Sequence, residues 1–177
     1  GTSGSSGTDT SKDTSKDGET GTGKPAAPEP IELGADAVSV YDPYPRATET
    51  GAPVDAYDGD PETAWDVKVA DGSQQMGVGL VVDLGSKRGV RVLELTTGTP
   101  GFRTEVYATD SSEVPPDVLD TRWAHVKDAS DVGSGDKGKE RIVLGGGSTK
   151  YRHVLIWLTT PPKDGPSVEI SELSLLG

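Results

Sequence analysis

Residues 57–65 (YDGDPETAW) contain the clearest set of potential metal ligands in the chain. A turn with several carboxylates, and a glycine free to take a left-handed backbone, can wrap a hard cation such as Ca²⁺ in oxygen ligands. Asp58 and Asp60 fit the D-x-D start of an EF-hand loop. Glu62 and Thr63 stand where that loop needs Asp or Asn and then Gly, so this is not an EF-hand. Two interpretations stay open: a calcium-binding turn, or an acidic surface turn whose carboxylates cap backbone N–H groups.

Signatures of catalysis are weak. Residues 133–140 (GSGDKGKE) nearly spell a phosphate-binding P-loop, but Glu140 replaces the Ser or Thr that holds magnesium. No buried parallel strand precedes the segment and no helix follows it, so we interpret it as a solvated hairpin loop. The chain has no Cys and no G-x-S-x-G motif, and His125 and His153 fall within predicted strands. We therefore predict a protein that is not an enzyme.

The elements that would hold a functional site in place are short apolar runs separated by turn residues. The runs predicted to be strands are residues 37–41, 78–84, 90–95, 104–108, 122–126, 141–144, 153–158 and 168–175. In GVGLVVDLG, alternate residues from Val78 to Leu84 are apolar, which is typical of a strand with one buried face. In the last run, Val168 and Ile170 share one phase while Leu173 and Leu175 share the other. That shift predicts a β-bulge or a change of sheet. About eight short strands and no helical period predict an all-β sandwich or barrel.

Composition divides the chain into two parts. Residues 1–34 are rich in Gly, Ser, Thr and Pro and contain the repeat TSKDTSKD, so we predict a disordered linker there and a folded domain at residues 35–177. The first seven residues are either a cloning scar or more linker. A linker of this kind implies a tether to another domain or a membrane anchor. The net charge of −12 makes nucleic acid and anionic membrane surfaces unfavourable partners.

The blocks YDGDPETAW, GLVVDLGSKRGVRVLEL, VYATDSS, TRWAHV and VEISELSL, in this order and spacing, resemble the discoidin or coagulation-factor C-type domain. The resemblance implies an eight-stranded, antiparallel jelly-roll β-sandwich of the galactose-binding-like type, with its termini close together. It implies that Trp65 and Trp123 are buried structural residues. It also implies a structural calcium ion, with these ligands: Asp58, Asp60, Thr63 and Glu172.

Many discoidin modules bind sugars through aromatic residues in loops, helped by His, Arg or Asn side chains. This chain has no Asn, and its candidates for such a ligand site are few: Tyr41, Tyr44, Arg46, Phe102 and Arg103. Exposed aromatic rings next to arginine favour interfaces. The alternative interpretation is structural, with Phe102 in the core and the tyrosines covering an edge of the sandwich.

A narrower resemblance covers the same region. GVGLVVDLG, FRTEVYAT, VLDTRW, HVLIWLTT and VEISEL are similar to the extracellular C-terminal domain of actinobacterial MviN-type proteins, which resemble peptidoglycan-precursor flippases. This resemblance implies an extracellular module that is tethered to a membrane protein and binds cell-wall glycan or an envelope protein. We expect the module to be a monomer. Two alternatives remain: a protein–protein interaction or structural domain without a sugar site, and an accessory module of a secreted hydrolase.

Overall fold

The computed structural model describes residues 26–132 and 138–177. This part of the chain forms ten β-strands and one short 3-10 helix, Pro53–Ala56. The strands are β1 (Val38–Tyr41), β2 (Ala47–Thr50), β3 (Trp65–Val69), β4 (Val78–Gly89), β5 (Val92–Thr97), β6 (Phe102–Thr109), β7 (Ala124–Val132), β8 (Lys139–Val143), β9 (Lys150–Thr160) and β10 (Ser167–Leu176). No helix in the described ranges is long and apolar enough to cross a bilayer.

The strands form two five-stranded sheets stacked face to face. The front sheet has the order β1-β4-β9-β6-β7, and the back sheet has the order β2-β3-β10-β5-β8. Neighbouring strands pair antiparallel throughout both sheets. The inner faces enclose one apolar core, as expected for two packed sheets. The predicted all-β, jelly-roll type of sandwich is confirmed, with ten strands in place of about eight.

The two additional strands are β2 and β3. β2 is short and polar (ATET) and lies at the edge of the back sheet, so it has little hydrophobic pattern to detect. β3 (WDVKV) does alternate, and Trp65, Val67 and Val69 are buried in the core. This alternation is a strand signal, but it is easily taken for part of the acidic turn because it follows that turn directly.

The central strands of the front sheet are buried on both faces. Val78, Leu80 and Val82 point into the core, as the period of two predicted. Val81 lies on the opposite face and is also buried, as is every residue from His153 to Leu158 in β9. A strand covered on both sides is continuously apolar, so something must cover the outer face of this sheet.

The phase shift in the last run is a β-bulge. The register of β10 against β5 shifts between Ile170 and Glu172, and β10 stays in the back sheet between β3 and β5. The bulge allows Val168 and Ile170 on one side of it, and Leu173 and Leu175 on the other, to point into the same core.

The two ends of the described chain meet. Glu29 and Gly177 exchange backbone hydrogen bonds of 3.0 and 2.9 Å, and Pro30 forms a β-bridge with Leu176. Residues 29–31 lie inside the predicted linker and pack along the last strand. The disorder predicted for residues 1–25 lies outside the described residues, as does most of the P-loop-like segment 133–140. The expected proximity of the termini is confirmed for Glu29 and Gly177.

Replacing Phe102 by Ala tests the core. Phe102 is fully buried at the start of β6, so Phe102→Ala should lower the free energy of unfolding by about 3–5 kcal/mol through lost transfer energy and a new cavity. Urea denaturation measures this change. Leu119→Ala is the control: Leu119 is 82% exposed, so its truncation should change stability by less than about 0.5 kcal/mol. Equal losses in the two variants would contradict the assignment of Phe102 to the core.

Candidate functional site

A second apolar layer covers the outer face of the front sheet. Its buried members are Tyr41, Val81, Val118, Trp123, Leu155 and Trp157, with Tyr107 packed against them. Val118 and Trp123 come from residues 110–123, the connection between β6 and β7, which folds back over the sheet. We call this set the aromatic layer. It accounts for the burial of β4 and β9 on both faces, and it confirms that Trp123 is structural.

One row across the front sheet organises the aromatic layer. Tyr41 pairs with Gly79, Gly79 with Trp157, and Trp157 with Glu105. Tyr41 packs edge-on against Trp157, with 6.1 Å between the ring centroids. At Gly79 a Cβ atom would lie 2.1 Å from the carbonyl oxygen of Ile156. Only glycine therefore fits at this position between the two rings.

A surface cavity opens beside the aromatic layer, and we call it the front pocket. It has a volume of about 350 Å³, and its walls include Tyr44, Arg46, Gln75, Glu105, Trp157 and Thr159. The pocket lies where β9 ends and β10 begins, opposite the end where Pro30 pairs with Leu176. Its walls combine apolar ring surface with amide, hydroxyl, guanidinium and carboxylate groups. This mixture is suited to a hydroxylated organic ligand.

Tyr44 is the exposed aromatic ring of the front pocket, with 39% of its surface accessible. Its ring packs edge-on against Trp157 at 6.1 Å, and its hydroxyl donates a 2.6 Å hydrogen bond to Asp117 Oδ1. This hydrogen bond raises the pKa of Tyr44 to about 12. The pKa of the Asp117 carboxyl is lowered, first by the backbone N–H of Leu119 and then by the Tyr44 hydroxyl. Tyr44 is therefore a fixed ring tied to the covering loop.

Arg46 follows Tyr44 on the turn between β1 and β2. The Asp42 carboxylate accepts hydrogen bonds from the backbone N–H groups of Arg46 (2.8 Å) and Ala47 (3.2 Å), which fixes the turn. The side chain of Arg46 lies against Gly77, where a Cβ atom would be 3.2 Å from Arg46 Cδ. Its guanidinium group has no hydrogen-bond or ion-pair partner among the described residues. Its donors are free to bind a ligand.

Glu105 forms the opposite wall of the front pocket. Its Oε1 accepts a 2.6 Å hydrogen bond from the Tyr107 hydroxyl and lies 3.6 Å from Nε2 of His125. Burial and this carboxylate together raise the pKa of Tyr107. His125 is 44% exposed and packs on Tyr107, with 4.9 Å between the ring centroids. His153 is buried, and its Nδ1 pairs with the carbonyl oxygen of Ser111 at 2.9 Å, which supports a structural role.

The structure brings together only part of the predicted ligand set. Tyr44 and Arg46 line one pocket. Tyr41 is 7% exposed, and its hydroxyl donates to the carbonyl oxygen of Pro115, so it belongs to the aromatic layer and is not a loop residue. Phe102 is a core residue with no accessible surface, so its ring cannot stack on a ligand. We remove both from the candidate site. Arg103 points towards β7, where it pairs with Asp131 at 3.1 Å and with the Ala129 carbonyl.

Trp157, Glu105 and Gln75 were missed as site residues. Trp157 stands in the apolar run HVLIWL, which predicted a core strand, and only the covering loop shows that its outer side borders a cavity. Glu105 lies in the strand FRTEVYAT, where an acidic residue predicts no more than an exposed position. The sequence did contain one clue to Glu105. Alternate residues of a strand share a face, and Glu105 lies two residues after Arg103, which was a predicted ligand residue.

The acidic turn is held by its own hydrogen bonds. Asp58 Oδ1 accepts from the backbone N–H of Asp60 at 3.0 Å, and Asp58 Oδ2 accepts from Thr63 Oγ1 at 2.5 Å. Asp60 Oδ1 accepts from the backbone N–H of Glu62 at 2.9 Å. Gly59 has φ +80°, the left-handed conformation that the turn requires. These contacts match the interpretation in which the carboxylates cap backbone donors.

Calcium at this turn stays a prediction of the resemblance. Glu172 and Pro61 line one back-sheet cavity of about 600 Å³, so the turn does lie near the last strand. Among residues 26–132 and 138–177, however, no three His, Cys, Asp or Glu side chains converge as metal ligands. Each oxygen of Asp58 accepts one hydrogen bond, from the backbone N–H of Asp60 or from Thr63 Oγ1.

The back-sheet cavity is the larger of the two but is the weaker candidate for an organic ligand. The described residues that line it include no aromatic ring, and Arg141 is already paired with Glu94 across it. Paired charges on an exposed sheet are an ordinary solvated surface. The front pocket, with an exposed ring and a guanidinium group unpaired among the described residues, is therefore our candidate functional site.

No protein-family model matches this sequence, and no curated protein matches it. Solved structures do match in fold. Chitosan-binding module 1 of a chitosanase/glucanase from Paenibacillus sp. IK-5 superposes with a TM-score of 0.60 at 19% identity, covering 84% of this chain and 99% of that module. The CBM32 of AlyQ, in complex with 4,5-unsaturated mannuronic acid, gives 0.56 at 17% identity, covering 81% and 95%. The chain has the same two-sheet β-sandwich fold as these modules.

A third match is part of an enzyme. The GH29 fucosidase of Ruminococcus gnavus, in complex with fucose, gives a TM-score of 0.54 at 18% identity; the match covers 80% of this chain and 25% of the fucosidase. This fold thus occurs both as separate modules and inside glycoside hydrolases. At these identities the similarity establishes the architecture.

Acid should destabilise the domain. The pKa values of Asp58, Asp83, Asp117 and Asp120 are lowered in the fold by hydrogen bonds to their carboxylates, that of Asp120 to about 2. The folded state therefore binds fewer protons than the unfolded state, whose Asp pKa is 3.8. The stabilisation is present above this value and is lost as pH falls towards about 2. Urea midpoints should decrease from about pH 5 to about pH 2.5; a constant midpoint would contradict the shifts.

The acidic turn gives a separate prediction. Asp58→Ala removes two acceptors, so the melting temperature should fall slightly, and by the same amount with calcium as with chelator. Glu49→Ala, on the exposed strand β2, is the control and should leave melting unchanged. Melting of the native protein in both conditions completes the experiment. If calcium raises the melting temperature of the native protein but not that of Asp58→Ala, the turn binds the cation after all.

Proposed function

We propose that this chain is a non-catalytic, extracellular glycan-binding module whose ligand site is the front pocket. The observation that carries the proposal is the exposed ring of Tyr44, fixed against Trp157 and flanked by the guanidinium group of Arg46, which has no partner among the described residues. Sugar rings present apolar C–H faces with hydroxyl groups at their edges. An aromatic face and free polar donors side by side match both parts of such a ligand.

The fold supports the proposal. Similar structures include a chitosan-binding module and the CBM32 of AlyQ in complex with a sugar acid, and both are matched over nearly their full length. The pocket also lies at the end of the sandwich away from Glu29, where the linker enters. A module tethered through its N-terminal side would present this pocket outwards.

For the biological setting, we propose a cell-envelope protein anchored in a membrane, with cell-wall glycan as the ligand. The support is the Gly/Ser/Thr/Pro-rich segment before the domain and the resemblance to the C-terminal domains of MviN-type proteins. An acidic domain stays soluble and separate from anionic lipid headgroups, which suits a module held close to a bilayer.

A protein ligand is the second candidate. Leu119 is 82% exposed and Val114 is 37% exposed, and both lie on the loop that covers the front sheet. Exposed apolar side chains next to a fixed tyrosine are typical of protein interfaces. Under this alternative Leu119→Ser would weaken capture of an envelope protein, whereas glycan binding at the front pocket would not depend on Leu119.

An accessory role in a secreted hydrolase is the third candidate. The chitosan-binding module derives from a chitosanase/glucanase, and the fucosidase carries the same fold within a longer chain. The ligand site would be the same as in the leading proposal. The catalytic domain would stand elsewhere in the parent protein, and sequencing the complete gene would distinguish the two settings.

Substitutions at the front pocket test the leading proposal. Tyr44→Ala and Arg46→Ala should each weaken glycan binding by roughly tenfold or more, because truncating a central aromatic or arginine contact costs about 2 kcal/mol and about 1.4 kcal/mol corresponds to tenfold. A glycan array identifies the ligand, and isothermal titration calorimetry measures the affinities.

Arg141→Ala is the matched control, because this exposed arginine lies on the back sheet. It should bind as the native protein does. Thermal melting checks that all three variants fold. Saturable glycan binding that survives both pocket substitutions would place the site elsewhere, and absence of binding to any glycan would refute the proposed function.

A further inference from the structure

We propose that the front pocket selects a glycan with free amino groups, such as a glucosamine oligomer, and that Glu105 is the residue that selects it. This inference rests on the proposed glycan-binding function and adds the chemical class of the ligand. Its basis is the position of the Glu105 carboxylate, in which only one oxygen accepts a hydrogen bond from a described residue, and the excess of acidic over basic groups around the pocket.

Glu105 lies directly beside Trp157, on the neighbouring strand of the front sheet. Glu105 pairs with Trp157 in the sheet, and both residues line the pocket. Its side chain is only 25% exposed, so its charge is partly shielded from water. Oε1 is engaged by Tyr107, but no described residue donates a hydrogen bond to Oε2. A sugar ammonium group would form a hydrogen bond there in which both partners are charged, which is stronger than the bond from a neutral hydroxyl or acetamide group.

The opposite wall provides the donors that the rest of a sugar needs. Arg46 lies over Gly77, next to β4, and Glu105 is on β6, with β9 between them. β4 and β6 are two interstrand spacings, roughly 10 Å, apart. A sugar unit bound across the Trp157 edge would thus meet a cation on one side and an anion on the other. Arg46 can bind hydroxyl and ring oxygens while Glu105 binds the amino group.

Charge around the pocket disfavours acidic sugars. Besides Glu105, the carboxylates of Asp42 and Asp117 adjoin it through their bonds to the turn and to Tyr44, whereas Arg46 is the one arginine or lysine among the described residues of its wall. The Asp117 carboxyl has a lowered pKa, so it stays ionised. The chain as a whole has a net charge of −12, which attracts polycations and repels polyuronates over long range.

Calorimetry with oligomers of equal length tests the inference. The ligands are a fully deacetylated glucosamine oligomer, its N-acetylated counterpart and a mannuronate oligomer. The native protein should bind the glucosamine oligomer roughly tenfold or more tighter than the N-acetylated one. Glu105→Gln keeps the shape and the acceptor for Tyr107. It should abolish that preference, by weakening binding of the glucosamine oligomer to the level of the N-acetylated one.

Tyr107→Phe is the companion variant. It removes the hydroxyl that holds Glu105 but keeps the charge, so the preference for the amino sugar should persist. Equal affinity of the native protein for the amino and N-acetylated oligomers, a preference for mannuronate, or an unchanged preference in Glu105→Gln would each overturn the inference. In each case the proposed glycan-binding function would stand. Absence of binding to all three oligomers and to a glycan array would overturn both.

Discussion

The apolar outer face of the front sheet is the constraint on which the rest of the structure depends. β4 and β9 are too apolar to face water on either side, so burying their outer side chains requires a cover. Residues 110–123 provide it with Val118 and Trp123. Polar bonds fix the cover in place: Trp123 Nε1 donates to the Tyr41 hydroxyl at 3.3 Å, and that hydroxyl donates to the Pro115 carbonyl. A buried, satisfied network of this kind specifies one arrangement of loop and sheet.

The candidate site is a consequence of that cover. The front pocket lies beside the covering loop, which contributes Val118 to its wall. The bond from Tyr44 to Asp117 ties the β1–β2 turn to the loop, so the exposed ring is held in place before any ligand arrives. A site that is already ordered loses little conformational entropy on binding. The modest size of the pocket, about 350 Å³, suits one or two sugar units.

The charges around the front pocket differ from those on the rest of the surface. Most arginines of the described chain are engaged: Arg103, Arg122, Arg141 and Arg152 pair with carboxylates, and Arg91 donates to the Ala26 carbonyl. Arg46 is without such a partner in the described ranges, although acidic residues outnumber basic ones in the chain, 29 to 17. Facing it across the pocket, Glu105 keeps one oxygen free of any described donor. Opposed charges of this kind in a rigid pocket favour a ligand that has complementary groups at both ends.

The sequence by itself determined the class of fold, the phase of most strands and the irregularity in β10, whereas the burial of Trp65 and Trp123 was implied by the resemblance to discoidin-type domains. The first three features follow from local alternation and from turn residues that lie near one another along the chain. It also indicated Tyr44 and Arg46, because aromatic and arginine residues stand together on one turn. Only the tertiary structure decided that Tyr41 and Phe102 are buried, and that Trp157 and Glu105 border a pocket. The reason is physical: whether the outer face of a strand is exposed depends on a loop distant in sequence, and period-two patterns contain no information about that loop.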